Sequence, residues 1–147
     1  MPVKISVTGV SELVHDLGQV EVNAERNVRK VVTRTAMRVA ADVKESIQRG
    51  PKTGRLYPRG RGRVHQASAP GEAPATDTGT LASRVFSQTH ENGRTASVFS
   101  DVDYAGTLER GNEKIAPRPY FGPALDKNAV RFIEDLELAV AEAALKK

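Results

Sequence analysis

A chain of 147 residues, 39% hydrophobic and 27% charged, has the composition of a single globular domain with a modest core. It has no cysteine, which excludes disulfide frameworks and thiolate chemistry, and no apolar run of bilayer-spanning length, so no membrane partner is expected. The net charge of +4 is local: six basic residues fall between Arg49 and Arg63, and without them 16 basic residues face 18 acidic ones.

Val3, Ile5 and Val7 alternate with polar residues and predict a short strand ending at Gly9. The N-terminus lacks the charged-then-apolar pattern of a signal peptide, and the absence of cysteine suits folding in a reducing cytoplasm. Ser11 can cap a short helical turn through Leu17, with Leu13, Val14 and Leu17 on one side. From about Asn23 to Gln48, Val28, Val31, Val32, Thr35, Val39, Val43 and Ile47 recur at three- and four-residue steps and predict a long amphipathic helix. Gly50-Pro51 stops it.

Residues 50–80 are rich in Gly, Pro, Arg, Ser and Thr, with Leu56, Tyr57 and Val64 the only large apolar side chains. A structureless loop of that length is uncommon inside a compact domain. Two readings stay open for it: GRLY and RVHQAS pair as a projecting β-hairpin, or the segment is a loop ordered only by a neighbour. After Leu81, the runs RVFSQT (84–89) and RTASVFS (94–100) flank Asn92-Gly93, the strongest short-range hairpin signal in the chain. Tyr104 to Arg110 predicts a brief helical turn ended by Gly111. A last helix is expected from about Pro123 to Ala144, with Leu125, Ala129, Phe132, Ile133, Leu136 and Val140 facing the core, and with Asp126 and Lys146-Lys147 suiting the helix dipole. The expected fold is α+β: residues 1–147 as one domain, a small, mainly antiparallel sheet packed on two helices, and a long basic loop or hairpin over 50–80.

Asp77-Thr78-Gly79 spells the tripeptide that carries the catalytic carboxylate of aspartic proteases. Such a site needs two carboxylates sharing a proton and an apolar strand leading into the loop. Here the preceding segment is GEAPAT, polar and Pro-rich, so Asp77 is read instead as the cap of a short turn, bonding the amide of Gly79 or Thr80 while Leu81 anchors the turn. His15, His65 and His90 have no metal-ligand spacing, and Gly60-Arg61-Gly62 lacks the strand-to-helix context of a phosphate loop. No catalytic residue, metal or cofactor is expected. Arg55, Arg59, Arg61 and Arg63, with Tyr57 and His65 among them, can track a phosphate backbone; the same charges also suit solvent or an acidic protein surface.

Three segments occur together: SAPGEAPATDTGTL (68–81), YAGTLERG (104–111) and APRPYFGPA (116–124). In that order, behind a long helix, they resemble the neck, or head–tail joining, proteins of long-tailed bacteriophages, a family of minor tail and tail-completion components. The shared pattern runs through Pro70, Gly71, Asp77, Gly79, Leu81, Tyr104, Leu108, Glu109, Gly111, Arg118, Pro119, Phe121 and Pro123; Gly122 stands where a larger residue is usual. The resemblance implies a structural virion protein rather than an enzyme, made in the bacterial cytoplasm. It implies a homo-oligomeric ring, expected as a hexamer, between a head-side connector and the tail terminator or tube, with genomic DNA passing through under weak, non-specific contact. The rival is a nucleic-acid-binding module using residues 49–63.

Overall fold

The apolar stripe from Val28 to Ile47 builds the helix that organises everything else, and in the computed structural model, which describes residues 10–145, this helix (α1) spans Val10–Arg49. The separate turn expected over Ser11–Leu17 is therefore the first part of α1. Gly18 does not divide it: a lone glycine costs a helix about 1 kcal/mol relative to alanine, and the residues on both sides continue the helical pattern. Forty residues at 1.5 Å each give α1 a length of about 60 Å. The helix ends at Gly50-Pro51 as expected, with the Gly50 amide donating to the Ser46 carbonyl at 3.1 Å. The strand expected at Val3, Ile5 and Val7, and Lys146-Lys147, lie outside the described residues.

The last helix, α4, spans Phe121–Leu145 and runs antiparallel along α1. Asn27 donates to the Ala139 carbonyl at 3.1 Å, Arg38 pairs with Asp135 at 3.3 Å, and Asp42 accepts from Lys127 at 2.7 Å and Asn128 at 2.6 Å. Burial pushes the Asp42 carboxyl up, but the hydrogen bonds from Lys127 and Asn128 outweigh it and hold it below the usual carboxylate range. The face turned to α1 differs from the one expected. Ala124, Asn128, Ala139 and Ala143 are buried, whereas Leu125, Ile133 and Val140 are more than half exposed. Of the six residues expected inward, Phe132 and Leu136 are half-buried and the rest are exposed. Small side chains let the two helix axes approach, and that close packing displaces the larger residues to the flank.

Between the helices come a hairpin of β1 (Leu56–Arg59) and β2 (Arg63–Gln66), a one-turn helix α2 (Thr80–Ser83), a hairpin of β3 (Val85–Thr89) and β4 (Ala96–Ser100), and α3 (Ala105–Arg110). The fold is α+β, but the two hairpins form separate two-stranded sheets instead of one. The β3–β4 turn follows the Asn-Gly signal. The Asn92 side chain accepts from the Arg94 and Thr95 amides, and Gly93, at φ 65°, lies so close to α1 that a Cβ there would meet the Arg29 side chain at 2.7 Å. A hydroxyl pair, Thr33 and Thr89 at 3.0 Å, holds β3 to α1. The core lies over the C-terminal half of α1, where Val39, Val43 and Ile47 meet Leu81, Ala82, Val85, Ala105, Tyr120 and Ala124.

Candidate assembly surface

The three segments that carry the family resemblance meet in space, and most of their polar groups bond one another. Glu109, in the last turn of α3, accepts from three successive amides at the start of α4: Tyr120 at 2.8 Å, Phe121 at 3.0 Å and Gly122 at 2.9 Å. A carboxylate at this position satisfies amides that have no partner within the helix and complements the positive end of the helix dipole. Pro123 sits in the first turn of α4, where its missing N–H costs nothing. Gly111 ends α3 at φ 72°, and a Cβ there would come within 2.7 Å of the Ile115 carbonyl oxygen.

Arg118 joins two of the segments to the third. Its guanidinium donates to the Ser68 carbonyl at 3.3 Å and its amide to the Leu108 carbonyl at 2.7 Å. Gly71, at φ 84°, donates its amide to the Pro117 carbonyl, and Glu72 closes the turn behind Pro70 by accepting from the Ala69 amide and from both the amide and the hydroxyl of Thr53. The Thr53 hydroxyl and these amides hold the Glu72 carboxyl below its ordinary range. Lys52 reaches the Ser46 and Ala73 carbonyls, and burial pushes its ammonium down from its ordinary value. Tyr120 is fully buried beside Phe121, with ring centroids 4.7 Å apart, and donates to the Ala105 carbonyl at 3.2 Å. Burial first, and then the Glu109 charge, push its hydroxyl up to about 12. Leu81 is buried, Leu108 packs against the core, Pro119 is half-buried and Tyr104 is about half exposed.

Asp77 does not cap α2. Gly79 occupies the cap position at φ 80° with no side-chain bond, and the Thr78 hydroxyl, not Asp77, lies near the Thr80 amide. The Asp77 carboxylate turns instead to the basic hairpin, pairing with Arg59 and lying 3.9 Å from the His65 ring. Of the two open readings, the strands over 56–59 and 63–66 pair as a β-hairpin, tied at one end to the 68–81 loop. A cavity of about 250 Å³ lies at this junction, lined by His65, Asp77, Thr78, Tyr104, Leu108 and Arg118.

The hairpin buries almost nothing. Every residue of β1 and β2 is exposed except the half-buried His65. Its three-residue turn, Gly60-Arg61-Gly62, takes positive φ at Arg61 and Gly62, and the Arg55 guanidinium stacks 5.5 Å from the centroid of the Tyr57 ring. Arg55, Arg61 and Arg63 have no ion pair among the described residues, while Arg59 is committed to Asp77. His90 bonds Ser97 at 2.8 Å beside the second turn, and His15 is exposed on α1. No group of three metal-ligating side chains occurs among the described residues, and no helix is long and apolar enough to cross a membrane.

Sequence reasoning missed two features. The Glu109 cap is supplied from twelve residues before the first residue of the helix it caps, so no local capping signature marks it. The other is an apolar groove of about 780 Å³ walled by α1, α4 and β4, where Val32, Val39, Leu125, Phe132 and Ile133 face Val98. The helical stripe of Leu125, Phe132 and Ile133 was its signal, misassigned to the core. Comparison with protein-family models, with curated proteins and with solved structures finds no match for this chain.

Proposed function

We propose that this chain is a ring-forming subunit of the neck of a long-tailed bacteriophage, joining the head-side connector to the tail terminator or tube while genomic DNA passes through. The observation that carries it is the joint built by the three resemblance segments. Glu109, Arg118 and Gly71 lock 68–81, 104–111 and 116–124 to one another, so the ordered motif set behaves as one structural unit. Glu109, Arg118 and Glu72 are spent largely on holding backbone, which suits a subunit whose work is to present shaped surfaces. Surfaces of two kinds are left over: the exposed basic hairpin and the apolar flank of α4. A heterologous contact repeated around an axis closes a ring from such surfaces.

The test supplies purified chain to phage heads and tails made without it. Restored joining, and density for several copies of the chain at the neck, support the proposal. The Arg55, Arg59, Arg61 and Arg63→Gln variant is expected to leave heads and tails apart, with little DNA affinity at physiological salt in either form. Normal joining by that variant, together with loss of a strong and salt-dependent DNA affinity, transfers the function to nucleic-acid binding.

A further inference from the structure

The apolar stripe of α1 outlasts its partner. α4 ends six residues beyond Ala139, which Asn27 contacts, so at 1.5 Å per residue it covers α1 only back to about the level of Glu21. The stripe nevertheless continues at helical spacing through Val20 and Leu17 to Val14, and Val14 and Leu17 are 64% and 59% exposed. This arm is also one-sided in charge: Val10 to Glu25 has four acidic residues, Glu12, Asp16, Glu21 and Glu25, and no lysine or arginine.

The groove between α1, α4 and β4 is the converse surface. It is apolar, and the one charged side chain lining it is Arg94. Glu25 is shared between Arg94 and Arg29, two cations to one carboxylate, which leaves positive charge at the rim. Thr35 on its wall has a buried hydroxyl with no hydrogen-bond partner among the described residues. The arm cannot reach this groove in its own chain. Both Val32 and Leu17 belong to one continuous helix and lie about 22 Å apart along it.

We infer that the arm of one copy, Val14–Val22 of α1, docks in the α1/α4/β4 groove of the next copy. The contact takes the form of an amphipathic helix laid in an apolar groove, with Val14, Leu17 and Val20 as anchors and Asp16 or Glu21 meeting Arg94. Arm and groove are different surfaces, so the contact is head-to-tail and an open row of copies keeps one free arm and one free groove until the last contact closes it. It deepens the proposed ring and rests on that proposal for its biological setting.

The native absence of cysteine makes the test direct. Full-length Leu17→Cys and Ile133→Cys chains, both changed at exposed positions, are mixed under mild oxidation, with Met37→Cys as an equally exposed control. The expected product is a disulfide-linked heterodimer of the Leu17→Cys and Ile133→Cys chains, formed at least tenfold faster than either pairing with the control. The doubly substituted chain is expected to give a ladder of linked copies. Sedimentation of Leu17→Asp, at a position whose change leaves the core intact, is expected to show self-association weakened at least tenfold. Preferential Leu17→Cys homodimers overturn the inference in favour of arm-to-arm pairing. Oligomers that persist in Leu17→Asp without the mixed disulfide overturn it while leaving the ring standing. A chain that stays monomeric at high concentration and gives no mixed disulfide also overturns it, and the neck density then judges the ring separately.

Discussion

Glu109→Ala probes the bond set on which the three-segment joint depends. The carboxylate accepts from three amides, Tyr120, Phe121 and Gly122, at 2.8–3.0 Å, and no side chain replaces it. Losing an ordinary N-cap costs about 1 kcal/mol, and losing a negative charge at a helix N-terminus about 0.3–1 kcal/mol more. This cap is also the tertiary link from α3 to α4, and hydrogen bonds to charged groups contribute about 1.5–3 kcal/mol. The overlapping contributions give about 3 kcal/mol for Glu109→Ala, equivalent to roughly 6–12 °C in melting temperature for a domain of this size. Glu109→Gln is not a mild control. Oε2 serves Tyr120 and Phe121 and Oε1 serves Gly122, so one amide oxygen keeps only part of the set and the new NH2 faces an N–H donor. A loss of about 2 kcal/mol is expected for Gln by the same reckoning. Urea unfolding followed by circular dichroism measures both, and hydrogen exchange at the amides of 120–122 reports the cap itself. A loss under about 0.5 kcal/mol for Ala, the low end for a single hydrogen bond, with those amides still protected, would refute the account of the joint.

Three further outcomes follow from the same geometry. A double-mutant cycle on Asp77→Asn and Arg59→Gln should give a coupling of only about 0.2–1 kcal/mol, because both side chains are more than one-third exposed; faster proteolysis of residues 55–67 in each single variant is the sharper readout, and unchanged cleavage would mean that the pair does not hold the hairpin. Tyr120→Phe should cost about 1 kcal/mol for its buried hydrogen bond to Ala105, checked by thermal unfolding. For Glu72, the folded carboxyl titrates below its ordinary 4.5, so the unfolded chain binds the proton first as pH falls. Its contribution is present above about pH 4.5 and lost as pH drops through the folded value; the melting temperature of Glu72→Gln should therefore fall less steeply between about pH 5 and 3 than that of the native chain.

Legibility in the sequence varied with how locally each feature is determined. Val28 to Ile47 and Asn92-Gly93 carry their own periodicity and turn chemistry, and the β3–β4 hairpin and the C-terminal part of α1 formed where they were expected, although α1 begins thirteen residues earlier, at Val10. The turn expected over Ser11–Leu17 was separated from the long helix because local patterning was weighed segment by segment, and cooperative propagation joined the two. On α4 the larger residues were assigned inward, but Ala124, Ala139 and Ala143 recur at multiples of about one helical turn and mark the close-packed face. Hydrophobicity alone ranks Leu above Ala, while the geometry of close approach ranks them the other way. Asp77 carried two local readings, protease loop and helix cap, and its actual partner, Arg59, lies eighteen residues away. Contacts of that range leave no trace in spacing. The joint of 68–81, 104–111 and 116–124 was visible as a recurring pattern, but not the reason for it, which is mutual bonding across the three.

The antiparallel seam of α1 and α4 also has a consequence for biosynthesis. The long helix leaves the ribosome early and the helix that covers its stripe leaves last, with 96 residues from the end of one at Arg49 to the end of the other at Leu145. At about 5–20 residues per second this is roughly 5–20 s before the stripe has its full cover. Two-stranded hairpins emerging in the interval are marginal by themselves. Nascent chains stalled before Phe121 should therefore be held by chaperones or degraded, and emergence of α4, not of the longest helix, sets when the folded domain first exists.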